Sequence, residues 1–228
     1  AGSWGTTLAV LLGEKGFDVR LWARREELAN EIRSKKENSQ YLPGIKIPGN
    51  VIAEHSLGNC IESSEMMITA VPSEFLRNVM KEIKPYFKKQ IIVSVTKGLE
   101  HHSCKRMSQI IEEELGKVKL AALSGPNHAE EVSSKMPTAS VIASRDRKTA
   151  KLVSETLTTP YFKLYQLNDI AGVEICGALK NISAIATGVV DGLGFGDNAK
   201  ASIITLGLME MNNFGRHFGA KRVTVYGL

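Results

Sequence analysis

The residues best placed to do chemistry are two lysines, a glycine turn and a pair of arginines. Lys180 stands in a run, Ile170 to Val190, that is rich in Ala, Ile and Val on every side and reads as a helix buried all round. Between Glu174 and Asp191 it is the sole charge. Burying an unpaired ammonium costs several kcal/mol, so Lys180 either lines a polar cleft or carries its head out along its stem. Its place mid-helix beside Asn181 favours the cleft. Lys97 follows the apolar run Ile91-Ile92-Val93-Ser94-Val95, in the turn Thr96-Lys97-Gly98. It is either a solvated loop lysine or a group at the same cleft. Two lysines at one cleft depress each other's pKa, because like charges disfavour the protonated form, and a lysine so tuned can move a proton near neutral pH. A phosphate-bearing substrate suits a cleft lined by cations.

The chain begins Ala1-Gly2-Ser3-Trp4-Gly5, ahead of the apolar Leu8 to Leu12. That reads either as a tight turn before a helix or as the remainder of a G-x-G-x-x-G loop. In such a loop the glycines let the backbone approach a pyrophosphate, and the helix N-terminus offers it free N–H groups. A strand is expected before the loop and none is present, so the chain reads as starting one strand late. Phe17 to Trp22 alternates like the next strand and ends at Ala23-Arg24-Arg25. The residue about twenty positions past the last glycine faces the adenosine ribose, where an acidic side chain binds the 2′-hydroxyl of NAD. Arg24 and Arg25 stand there instead. They suit the 2′-phosphate of NADP or stacking on adenine, so the cofactor is NADP or NAD.

These residues must be positioned by an alternating fold. Strands are expected at 51–53, 66–71, 91–95, 120–123, 138–143 and 161–165, with helices at 26–36, 74–85 and 104–115. The segment Tyr41-Leu42-Pro43-Gly44 to Gly49 reads as a loop. Nearly continuous apolar strands such as Met66 to Val71 belong to a parallel sheet covered on both faces. Ligands of such a sheet sit beyond the carboxyl ends of its strands. Gly2 to Gly5, Arg24, Pro72-Ser73, Thr96-Lys97-Gly98 and Ser124-Gly125-Pro126-Asn127 all fall there. From Asp169 onward the chain reads as helix. The expected division is 1–168, a dinucleotide-binding domain without its first strand, and 169–228, the start of a helical substrate domain.

Composition narrows the class. The three cysteines, Cys60, Cys104 and Cys176, are far apart and form no C-x-x-C pair, which reads as reduced thiols in a cytoplasmic protein. The five histidines lack metal-ligand spacing, so no metal is expected. The net charge of +5 is spread out, without the basic run and interleaved aromatics of a nucleic-acid binder. The longest apolar stretch is interrupted by Lys180, so no membrane span is expected.

Seven strings together resemble the bacterial type of NAD(P)-dependent glycerol-3-phosphate dehydrogenase. They are Gly2 to Thr6, Leu21 to Arg25, Tyr41 to Gly44, Val95 to Glu100, Leu123 to Val132, Gly177-Ala178-Leu179-Lys180-Asn181, and Asp191 to Ala201 with its Gly192-Leu193-Gly194-Phe195-Gly196-Asp197 core. The resemblance implies a Rossmann-like, doubly wound, mainly parallel α/β sheet followed by the start of an all-α C-terminal domain. It implies interconversion of dihydroxyacetone phosphate and sn-glycerol 3-phosphate, supplying the latter for phospholipid synthesis. Lys180 falls on the family's catalytic acid/base, Asn181 on a group holding the reacting oxygen or the lysine, and Lys97 on a lysine touching substrate and cofactor. Gly125 and Asn127 fall on substrate contacts. Ser3, Trp4, Arg24, Arg25 and Ala129 fall on cofactor contacts, near Gly2, Gly5 and Pro72. A homodimer through the helical domain is implied by resemblance alone.

The resemblance also implies a longer protein. The family's next segment, beyond Tyr226-Gly227-Leu228, carries an aspartate near the lysine and an arginine-asparagine pair. Taken alone, the chain is expected to be a poor catalyst and to expose part of its long helix. Two other readings use the same residues: a related ketoacid or ketopantoate reductase, and a non-catalytic module that senses NAD(P)H.

Overall fold

The computed structural model describes residues 1–225; Tyr226 to Leu228, the end of the expected helical segment, lie outside the described residues. The chain alternates through α1 (Ser3–Glu14), β1 (Val19–Trp22), α2 (Glu26–Lys35), β2 (Glu37–Asn38), β3 (Leu42–Lys46), β4 (Val51–Glu54) and α3 (Leu57–Glu62). It continues through β5 (Met66–Thr69), α4 (Ser73–Ile83), β6 (Ile91–Ser94), α5 (Met107–Leu115), β7 (Leu120–Ser124) and α6 (Ala129–Ser133). After β8 (Thr138–Ser144), α7 (Arg147–Leu157) and β9 (Phe162–Leu167) come three helices, α8 (Ile170–Gly192), α9 (Asp197–His217) and α10 (Arg222–Val225).

The apolar runs read from the sequence become the centre of a five-stranded sheet of order β5-β6-β7-β8-β9. Helices cover both of its faces. Leu8, Leu11 and Leu12 of α1 and Val153 and Leu157 of α7 pack with Val93, Leu123, Ile142 and Phe162 on one side. Leu76, Met80, Ile110 and Ile111 of α4 and α5 pack with Ile92 and Leu120 on the other. A separate parallel pair, β1-β4, closes over the opposite side of α1 through Ala9, Val10, Leu21 and Val51. Helix α1 therefore straddles both sheets and is buried continuously from Thr6 to Gly13. This is the doubly wound α/β, Rossmann-like architecture.

Three features differ from the pattern. The stretch read as a loop after α2 holds a small antiparallel hairpin, β2-β3; Pro43 and Gly44 mask its strand character. Strand β8 runs antiparallel to β7, while the other pairs in the five-stranded sheet are parallel. Antiparallel neighbours need no crossover helix over the sheet, so the β7–β8 link, with the short α6, stays at one sheet edge. That brings Asn127 against Ser140. Finally, α8 is not buried all round. Ile170 to Gly177 are largely buried, but Ile182, Ile185 and Val189 are 64%, 69% and 55% exposed. The helix outruns the sheet, and its second half is flanked mainly by α9. By length and composition α8 also has the character of a membrane span, yet its first turns are packed on β7 and β8 and Lys180 interrupts it.

Candidate functional site

The carboxyl ends of β6 and β7, the first turn of α1 and the middle of α8 converge on one cleft. Gly2 caps α1 in an extended conformation, with no side-chain acceptor and no acidic residue in the first turn. The N–H groups of that turn are free for an anion. A β-carbon on Gly2 would meet nothing within 4 Å, so the approach is open. Gly5 lies in ordinary contact with Ala70. Trp4 packs edge-on against Phe162, with ring centroids 6.1 Å apart, and its buried Nε1 has no partner.

The arginine pair divides. Arg25 caps α2 and donates to Gln40. Arg24 lies with its guanidinium carbon 6.0 Å from the centre of the Phe75 ring. Phe75 is exposed in the first turn of α4, just after Pro72, the residue that caps that helix. The planar Arg24–Phe75 pair is a platform that sequence reasoning missed. The signal was an aromatic two residues after Pro72-Ser73, in the turn that follows a strand end.

Lys97 follows β6 and donates to the Gly125 carbonyl at 3.3 Å. Thr96 fixes that turn by donating to the carbonyls of Thr69 and Val71 at 3.1 and 2.9 Å. Gly125 must be glycine: a β-carbon there would come within 2.9 Å of the Ser140 Cα. Asn127 accepts from Ser140 Oγ, and its Nδ2 is buried without a partner. Ala129 opens α6 with its carbonyl accepting from Thr7 Oγ at 3.2 Å, which ties it to α1.

Lys180 faces Lys97, close enough for each amine to affect the other's titration. Its Nζ is buried with no hydrogen-bond partner. Burial first, and the Lys97 charge second, depress the Lys180 pKa from 10.5 to about 7. Burial also lowers that of Lys97. Helix α8 reaches this position because Gly177 lets it touch Ser124 at the end of β7; any side chain there would collide with Ser124 Oγ. Ser124, which is buried and also unpartnered, is a further residue not singled out from sequence. Asn181 is exposed, and its side chain makes no hydrogen bond to Lys180 among the described residues. Buried polar groups are normally paired. Here Lys180, Asn127 and Ser124 leave orphaned polar atoms on the segments beyond β7 and on α8, and Trp4 leaves another in the α1 turn, which suits a site completed by a ligand. The free N-terminus of α1, the open space at Gly2, the Arg24–Phe75 platform and the Trp4 Nε1 fit a dinucleotide.

Comparisons with known proteins agree with this geometry. Residues 1–150 match the family model of the NAD-dependent glycerol-3-phosphate dehydrogenase N-terminus, and residues 169–228 that of its C-terminus. The glycerol-3-phosphate dehydrogenase [NAD(P)+] of Moorella thermoacetica is 46% identical over all of this chain and 68% of its own length. That of Chlorobium limicola is 47% identical over all of this chain and 70% of its own. The crystal structure of a glycerol-3-phosphate dehydrogenase from Coxiella burnetii superposes with a TM-score of 0.94 at 40% identity, covering the whole chain and 70% of that protein.

Proposed function

The chain belongs to the NAD-dependent glycerol-3-phosphate dehydrogenase family, and from that premise we propose that it interconverts dihydroxyacetone phosphate and sn-glycerol 3-phosphate with NAD(P)H, as an enzyme of lipid metabolism in the cytoplasm. The observation that carries the reading is Lys180: an amine with a pKa near 7, buried and unpaired, facing a second lysine in a cleft. Family membership favours this over the ketoacid reductase and the nucleotide sensor.

In this reading residues 1–168 bind the cofactor and 169–228 begin the substrate domain. Gly2, Ser3, Trp4 and Gly5 hold the pyrophosphate on the α1 N-terminus. Arg24, with Phe75 beneath it, takes the adenosine end, and Arg25, Pro72 and Ala129 shape the same pocket. A nicotinamide held there would supply or accept the hydride. Lys180 gives a proton to the substrate carbonyl oxygen in reduction and takes it back in oxidation. Lys97, Gly125 and Asn127 bind the substrate, Lys97 adding positive charge for its phosphate. Asn181, on the open side of α8, reaches the substrate oxygen rather than the lysine. A homodimer through the helical region is part of the same proposal.

The test follows nicotinamide absorbance with dihydroxyacetone phosphate and either NADH or NADPH. Turnover that requires the substrate phosphate supports the reading; binding of both cofactors with no consumption of either overturns it. Arg24→Ala should weaken NADPH more than NADH if Arg24 reads the 2′-phosphate, and both equally if it only stacks.

A further inference from the structure

Lys97 and Lys180 sit on segments far apart in the chain, and a buried carboxylate joins those segments. Glu174 lies on α8, six residues before Lys180, or about 9 Å along a helix rising ~1.5 Å per residue. Its side chain is 3% exposed. It reaches across to the N-terminus of α5, where Oε1 accepts from the Ser108 backbone N–H at 2.6 Å. Oε2 accepts from Ser108 Oγ at 2.6 Å and from Arg106 Nη1 at 2.7 Å. A side chain of one helix thus caps another. The capped helix begins where the Lys97 segment ends. Between them the chain is closed on itself: the Glu100 N–H donates to Lys105 O at 2.9 Å, Cys104 N–H to Glu100 O at 3.0 Å, and Leu99 bridges to Arg106. From Leu99 to Arg106 the segment is therefore tied to itself, with Lys97 at one end and Ser108 at the other.

We propose that Glu174 is a positioning residue that clamps the Lys97 segment to the Lys180 helix and so fixes the separation of the two amines. The inference rests on the proposed activity only for its catalytic consequence. Burial raises the Glu174 pKa, opposed by Ser108 and Arg106. A buried ion pair is seldom the most stable choice, since apolar residues of similar volume often do as well. What Glu174 supplies and a leucine would not is a fixed register between α8 and α5. Gly177, wedged on Ser124 between Glu174 and Lys180, carries that register to the cleft.

Strands β7 and β8, on which α8 packs, carry no ionisable side chain. Helix α9 brings Asp197, Lys200, Glu210, Arg216 and His217; α10 with its lead-in brings Lys221 and Arg222; the β6–α5 segment brings Lys97, Glu100, His101, His102, Cys104, Lys105 and Arg106. Of these, Lys97 is the charge that acts on Lys180. The Lys180 titration therefore responds to its burial first and to the nearness of Lys97 second, and both change if α8 shifts against the Lys97 segment.

The experiment is an NMR titration of the Lys180 amine in the ¹⁵N-lysine-labelled intact enzyme, wild type against Glu174→Gln, with kcat, KM and melting temperature measured alongside. Glu174→Gln keeps the shape and an acceptor oxygen for Ser108 but loses the charge, and the melting temperature checks that it folds. A freed α8 separates the amines, and the Lys180 midpoint should rise by a unit or more, with kcat down ~10-fold or more and cofactor KM unchanged, because small misplacements of a reacting group are costly. Arg106→Lys, which keeps the ion pair, should retain most of the activity. An unaltered Lys180 midpoint in folded Glu174→Gln overturns the proposal, whatever happens to the melting temperature. Wild-type enzyme that fails to reduce dihydroxyacetone phosphate would sink the functional reading instead, leaving the titration result to stand by itself.

Discussion

The two halves of α8 are chemically alike and structurally opposite. From Ile170 to Gly177 the helix is sealed against β7 and β8, and Ile175 is fully buried. From Asn181 to Gly192 it runs on with Ile182, Ile185 and Val189 exposed. Apolar composition all round does not by itself decide burial; it only permits it wherever a neighbour is available. Lys180 stands at the junction. It is near enough to the sealed half to lose its solvent and near enough to the open half to meet a ligand, which is why its amine is poised rather than merely buried.

The largest effect expected from this arrangement is on chemistry. Lys180→Ala should lower kcat by about 10²–10⁴-fold, the range of a lost general acid, with cofactor affinity nearly kept. Steady-state kinetics beside cofactor titration checks it, and an equal loss in both would turn Lys180 into a binding residue. The pH dependence comes next. With Lys180 titrating near 7, reduction needs the protonated amine and should fall as pH rises through that value, while oxidation should rise. Lys97→Met removes the facing charge and should move the midpoint upward. The same depressed pKa makes a stability statement. The unfolded chain holds its proton up to about 10.5, so the penalty is complete below 7 and fades between 7 and 10.5.

Packing tests the comparison directly. Ile175→Ala should cost about 2–5 kcal/mol in denaturant unfolding, and Ile185→Ala within about 0.5 kcal/mol of nothing. A cost of several kcal/mol at Ile185 would show that the open face is covered in solution. The smallest effects have opposite signs on one helix. Gly177→Ala drives a methyl into Ser124 and should destabilise by about 1–3 kcal/mol. Gly188→Ala meets nothing within 4 Å and should stabilise by about 0.5–1 kcal/mol, because alanine is the better helix former. Two losses of equal size would mean that both halves are packed.

The site was legible where its logic is local. Gly2 to Gly5, Lys97 after β6 and Gly125-Asn127 after β7 are each a strand end or helix start with a fixed spacing, and Lys180 was conspicuous as a lone charge among apolar residues. What was not legible joins distant segments. Phe75 comes beneath Arg24 only because α4 begins near the place where β1 ends. Ser124 becomes a site residue only because Gly177 lands on it. The cap of Glu174 on Ser108 spans 66 residues, and no periodicity in either helix announces it.

The sequence by itself determined the alternating α/β order, the candidate site residues at the strand ends, and the single lysine in the long helix, because apolar periodicity, glycine turns and stray charges act over a few residues. The tertiary structure alone decided that β8 turns back against β7, that the second half of α8 stays open, and that Lys97 and Lys180 face one another. Those outcomes depend on which surfaces meet, and the depressed pKa of Lys180 exists only after burial and a second charge have been brought to it.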